Sequence, residues 1–236
     1  MFVAFVPMGP GPQNRRAMCF SSTASFAASA ILTGAGVLAF RAVRGPGWRA
    51  LAMIPLIFAV QQFIEGWLWL GLNAPGPVNW LEPATRAYLV FAQMLWPIWV
   101  PFAMLGAEED RGRRIWLRRI IGIGVVVAAY HGLAIFGNVP QASIEGHHVH
   151  YTLEYPWHAR SAASMLYALA TVFAVFISSV PRMWALGLAL FASWALAAIF
   201  FPGNVISVWC YFAALISVVI IHLLQRSRSV VSGTPV

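Results

Sequence analysis

ALAMIPLIFAVQQFIEGWLWLGL, residues 50–72, decides the fold. A bilayer core asks for about 20 predominantly apolar residues per helix, and this stretch supplies 23. Its polar residues are few and grouped. Gln61 and Gln62 lie four and three residues before Glu65, so all three share one helical face. Polar groups in hydrocarbon are costly. A stripe of three must therefore face other helices, and one segment already implies a bundle.

Six further apolar stretches follow the same pattern, at about 22–40, 86–105, 120–137, 159–180, 183–201 and 205–224. Phe201-Pro202-Gly203-Asn204 separates the last two as a tight turn. The composition agrees. Of 236 residues, 60% are hydrophobic and 9% charged, and the mean hydropathy is +0.74. A soluble domain carries roughly a quarter charged residues. A disordered chain needs low hydrophobicity, and two cysteines cannot staple a secreted scaffold. The expected fold is all-α: a polytopic transmembrane bundle of seven helices in the plasma (inner) membrane.

The net charge of +8 comes from 15 basic residues, every one an arginine. Without lysine there is no retinal or pyridoxal phosphate Schiff base. In so apolar a chain the basic excess points to the lipid bilayer and to topology, not to nucleic acid. Arg41, Arg44, Arg49, Arg111, Arg113, Arg114, Arg118, Arg119, Arg182, Arg226 and Arg228 fall on one side of a seven-span arrangement. The positive-inside rule makes that side cytoplasmic, with the N-terminus outside and the C-terminus inside. Arg15 and Arg16 oppose this. Residues 1–17 lack the apolar core of a signal peptide and read as a non-native or disordered extension. Starting at Met18 removes the conflict. Residues 18–225 then form the membrane domain and 226–236 a short cytoplasmic tail.

Met18-Cys19-Phe20-Ser21, followed by Ala24-Ser25-Phe26, resembles the opening of an uncharacterised bacterial multi-pass membrane protein family. The family's Gln-Gln-x-x-Glu-Gly segment of the second helix is matched by Gln61-Gln62-Phe63-Ile64-Glu65-Gly66. The resemblance implies the fold and a start at Met18. It brings no established activity.

Ionisable residues within membrane helices are functional candidates. Glu65 is the first, with an interhelical hydrogen-bonded staple as the alternative. His131 falls in the outer half of the fourth helix, at a depth comparable with Glu65; a neutral histidine bonded to backbone is its alternative. The loop between helices four and five holds four of the six histidines: His147, His148, His150 and His158. From 148 to 155 polar and apolar residues alternate. An extended strand there places His148, His150, Thr152 and Glu154 on one face and Val149, Tyr151, Leu153 and Tyr155 on the other. Two or three histidines with a carboxylate suit zinc; a solvated polar loop is the alternative. Cys19 and Cys210 face the same outer region, as a disulfide, as unrelated core residues, or, with Cys19 N-terminal, as an amine–thiol pair. Ser21, Ser25, Ser29 and Thr33 read as a close packing face. Glu108, Glu109 and Asp110 read as solvated partners of the inner arginines. The tryptophans read mainly as interfacial belts.

No phosphate loop, Gly-x-Ser-x-Gly elbow, His-Glu-x-x-His helix or Cys-x-x-Cys is present. The expected site is a single polar one opening to the extracytoplasmic side. In the first reading His131, His148, His150 and His158 hold zinc, and Glu65 and His131 serve catalysis. Gln61, Gln62 and Trp157 contact a lipid or small amphiphile that is hydrolysed. The second reading is a sensor or a subunit of a partner membrane protein, binding a ligand or metal outside. A proton-linked transporter is the third.

Overall fold

The computed structural model describes residues 21–43, 45–146, 148–155, 157–200 and 213–232, with the backbone alone at 157–160, 198, 213–214 and 226–232. Among them are seven helices and one β-hairpin. Helix α1 is Ser22–Ala42 and α2 is Arg49–Leu72, entered through a 3₁₀ turn at Pro46–Trp48. Helix α3, Leu81–Ala107, is interrupted by a π-turn at Val90–Leu95. Helix α4 is Arg111–Gly137. Strands β1, Gln141–Glu145, and β2, His148–Thr152, precede α5, residues 157–176. Helix α5 contains a second π-turn, Leu169–Phe173. Helices α6, Met183–Phe200, and α7, Ala213–Ser232, complete the bundle.

Among the described residues four helical spans are long and apolar enough to cross a membrane: Ser22–Ala42, Pro46–Leu72, Leu81–Ala107 and Arg111–Gly137. Several boundaries differ from the sequence reading. Helix α4 begins nine residues before 120, because Asp110 caps its N-terminus by accepting from the Arg113 N–H at 2.7 Å. The arginines then form its first turns. Helix α7 runs on to Ser232, so residues 226–232 extend a helix where composition suggested a tail.

Helices α1 and α2 pack intimately. Ser25 and Ser29 are buried, and the Ser29 hydroxyl donates to the Ala59 carbonyl at 2.8 Å. The small-residue face is thus a packing face. It continues through Leu32, Gly36 and Ala39 rather than Thr33, which is exposed. A 3.6-residue period drifts off a strict four-residue repeat. Helix α7 packs against α1, so the first and last helices are neighbours.

Three turns meet at one end. Gly47 touches the Gly106 carbonyl so closely that a Cβ would sit 2.2 Å from it. Glu108 binds Ser179 across the α5–α6 turn: its Oε2 accepts the Ser179 N–H at 2.6 Å, and the Ser179 hydroxyl donates to its Oε1. The Glu109 and Asp110 N–H groups, at 3.1 and 3.0 Å, donate to the same Oε1. Glu109 and Asp110 are exposed, but Glu108 is 1% exposed and is a junction, not a solvated partner. Arg113 donates to the Ile177 carbonyl at 2.8 Å, and Arg114 to the Leu105 and Glu108 carbonyls at 2.9 and 2.7 Å. These arginines satisfy carbonyls left open where helices end. Arg86, toward the opposite end, pairs with Glu82 at 2.5 Å and donates to the Ile135 carbonyl, in the last turn of α4.

Candidate ligand-binding cavity

The polar stripe of α2 is fully inside. Gln61, Gln62 and Glu65 are buried. Trp96 Nε1 donates to Gln61 Oε1 at 3.0 Å, and its ring stacks on Phe58 at 4.1 Å. Gln62 Nε2 donates to Glu65 Oε2 at 2.9 Å. The Gln61–Trp96 bond ties α2 to α3, which is the staple reading of this stripe.

Prolines explain the shape of α3. In a π-turn the N–H five residues on serves each carbonyl. For Ala92 that residue is Pro97, which has no N–H. The Tyr167 hydroxyl takes its place, donating to the Ala92 carbonyl at 2.6 Å. Tyr167 lies just before the second π-turn, where Thr171 Oγ1 donates to the Tyr167 carbonyl at 2.7 Å. The two irregular segments thus face each other. Tyr167→Phe is expected to cost about 1 kcal/mol, by stranding the Ala92 carbonyl. Unfolding of the reconstituted variant by denaturing detergent reads this; unchanged stability would mean that the carbonyl finds another partner.

Between α2, α3, α4, α5, α6 and α7 lies a cavity of about 230 Å³. Ile54, Phe58, Leu186, Leu190 and Ile216 supply apolar walls, with Trp96 and Trp194. Its polar lining is Gln93, His131, Ser164, Tyr167 and Thr171. π-Turns often accompany functional sites, and here both contribute lining residues.

His131 is held by its own helix and by rings. Its Nδ1 lies 3.0 Å from the Val127 carbonyl. A carbonyl only accepts, so Nδ1 carries the proton and Nε2 the lone pair. Tyr130, Tyr155 and Tyr167 stand edge-on to the imidazole, with centroids at 5.3, 5.6 and 6.2 Å. The Tyr155 hydroxyl donates to Gln93 Oε1.

The hairpin brings Tyr155 there. Glu145 pairs with His148, and Ser143 with His150. Gly146 turns the chain at φ 61°, a left-handed value that glycine adopts freely. The strand expected over 148–155 forms as β2 but ends at Thr152. On its apolar face Val149 is buried and Tyr151 stacks on Tyr88 at 4.7 Å. This docks the hairpin on α3. On the other face His150 Nδ1 lies 3.5 Å from Glu145 Oε2, a diagonal cross-strand pair.

The expected site is therefore divided. His131 lines the cavity; Glu65 does not, and is engaged with Gln62. His150 is at the hairpin. Among the described residues no group of three His, Cys, Asp or Glu is placed to hold a metal ion. Cys19, Cys210 and His147 lie outside the described residues, as do the side chains of Trp157 and His158. Trp69 is buried, so the belt reading of the tryptophans does not hold for it. Gln93 and Tyr167 escaped the sequence reading, and Tyr155 entered it only on the apolar face of the strand. Pro97 and Pro101, inside an apolar helix, are the signal that marks the irregular segment where Gln93 lies.

Fold and cavity define an all-α bundle of seven helices among the described residues, four of them of membrane-spanning length, around a cavity with polar residues in its wall. The chain belongs to a family of unknown function (DUF6629), whose model matches residues 18–234. No curated protein and no solved structure matches it.

Proposed function

We propose that this is an integral membrane protein that binds a small, largely apolar molecule in the cavity. It acts as a non-catalytic sensor or a subunit of a larger membrane assembly. The observation that carries the reading is the cavity, an apolar space with a few convergent polar groups at the centre of the helices. Membrane insertion is supported by the four long apolar helices and by outward-facing Leu133 and Ile199, each more than 70% exposed. The arginine-rich end then faces the cytoplasm, and the hairpin faces outward. Zinc-dependent hydrolysis draws no support from the described residues, which gather no ligand set.

Extraction into lipid nanodiscs followed by mass spectrometry of co-purified small molecules tests this. Wild type is expected to carry a near-stoichiometric small molecule, distinct from bulk lipid. Leu190→Trp, which fills the cavity, is expected to lose it. A molecule retained equally by both proteins, or found in neither, would sink the reading.

A further inference from the structure

The geometry points to an uncharged alcohol as the ligand, its hydroxyl held between His131 Nε2 and the Gln93 amide. This rests on the cavity being a ligand site, as proposed above. Three observations converge on it.

The first is charge. None of the described lining residues is Arg, Asp or Glu, and the chain has no lysine. Arg86, on α3, is committed to Glu82 and the Ile135 carbonyl. Among the described lining residues a carboxylate or phosphate would meet no arginine, and an unpaired charge in low dielectric is expensive.

The second is hydrogen-bond polarity. With Nδ1 bonded to Val127, His131 has one function left, the Nε2 acceptor. Gln93 uses Oε1 to accept from Tyr155, which leaves its amide N–H groups as donors. Both side chains line the cavity, and both are in contact with Tyr155. Among uncharged groups, a hydroxyl donates to one and accepts from the other through a single oxygen. Tyr167 and Thr171 already spend their hydroxyl protons on the Ala92 and Tyr167 carbonyls.

The third is size. A dry cavity of about 150 Å³ holds benzene, so by the same scale 230 Å³ holds roughly nine non-hydrogen atoms. The aliphatic side chains of Ile54, Leu186, Leu190 and Ile216 suit a short alkyl chain or ring behind the hydroxyl.

The test uses the full chain in nanodiscs. A photoreactive diazirine alcohol is cross-linked to the protein, and four competitors of similar size are compared at equal mole fraction in the bilayer: 1-octanol, 1-methoxyheptane, octane and octanoate. Octanol is expected to compete about tenfold better than the ether, which can accept from Gln93 but has no proton for His131. Octane should be weaker than octanol, and octanoate should not compete. Labelling should map to peptides carrying Trp96 or Tyr167. His131→Leu should erase the difference between octanol and ether while octane still competes; the wild-type ranking decides alone should this variant not fold. Octane equal to octanol, or octanoate the best competitor, would overturn the alcohol assignment and leave the cavity reading standing. Failure of all four competitors would overturn both.

Discussion

Gly124→Ala is expected to destabilise the protein by about 3 kcal/mol, the upper end of the usual cost of overpacking. A Cβ at Gly124 would lie 1.9 Å from the Pro97 carbonyl oxygen and 2.7 Å from its carbon. Neither atom belongs to a flexible side chain, so relief requires α3 and α4 to separate. The approach has a chemical reason. The helical partner of the Pro97 carbonyl would be the N–H of residue 101, and that residue is also proline. The freed carbonyl faces the backbone of α4, where only a glycine lets a Cα–H come close enough to interact. Gly122→Ala is the control. Nothing lies within 4 Å of its added Cβ, so it should be neutral or stabilise by up to about 1 kcal/mol through backbone entropy. Reversible unfolding in mixed micelles of lipid and denaturing detergent compares the two. Equal effects would show that α3 and α4 do not meet at Gly124.

Glu108→Gln is expected to cost about 2–3 kcal/mol at neutral pH, since hydrogen bonds to a charged group are worth more than neutral ones. Its two oxygens accept from Ser179, Glu109 and Asp110. An amide in their place turns an N–H donor toward other donors. The pH dependence separates this from a packing defect. Burial raises the Glu108 pKa, but the bonds from the Ser179 hydroxyl and the Ser179 and Asp110 N–H groups outweigh it and hold the carboxyl below its ordinary range. The carboxylate therefore contributes stability that is fully present above the unfolded pKa and is lost as pH falls through the folded one. Wild type should lose stability across that acid window. Glu108→Gln should lose less over the same range. Parallel pH profiles for the two proteins would show that Glu108 does not stabilise as a carboxylate.

The outcome at Glu108 shows how the same residues read differently at two levels. In sequence, Glu108-Glu109-Asp110 beside five arginines is a solvated charge cluster. Two of the three residues behave so. The third is buried because the α5–α6 turn closes over it, and that turn is some 70 residues away in the chain. No local pattern announces such a contact. Gln61, Gln62 and Glu65 are the opposite case. Their spacing on one face of an apolar helix requires burial, and all three are buried.

The number of helices, their apolar character, the inward polar stripe and the alternating segment at β2 were legible from the chain. Each rests on local periodicity and on the cost of polar groups in an apolar environment, which act within one element. The division of the expected single site was not legible. Helix positions in the sequence put Glu65 and His131 at a comparable depth, but rotation of α2 and α4 about their axes decides which partners they meet, and packing sets that rotation. The cavity likewise exists only in three dimensions. Two π-turns, a proline without its N–H and a tyrosine from α5 that replaces it hold the helices apart around Gln93 and His131. Sequence determined which side chains cannot face hydrocarbon; the packing of six helices decided which of them line the cavity.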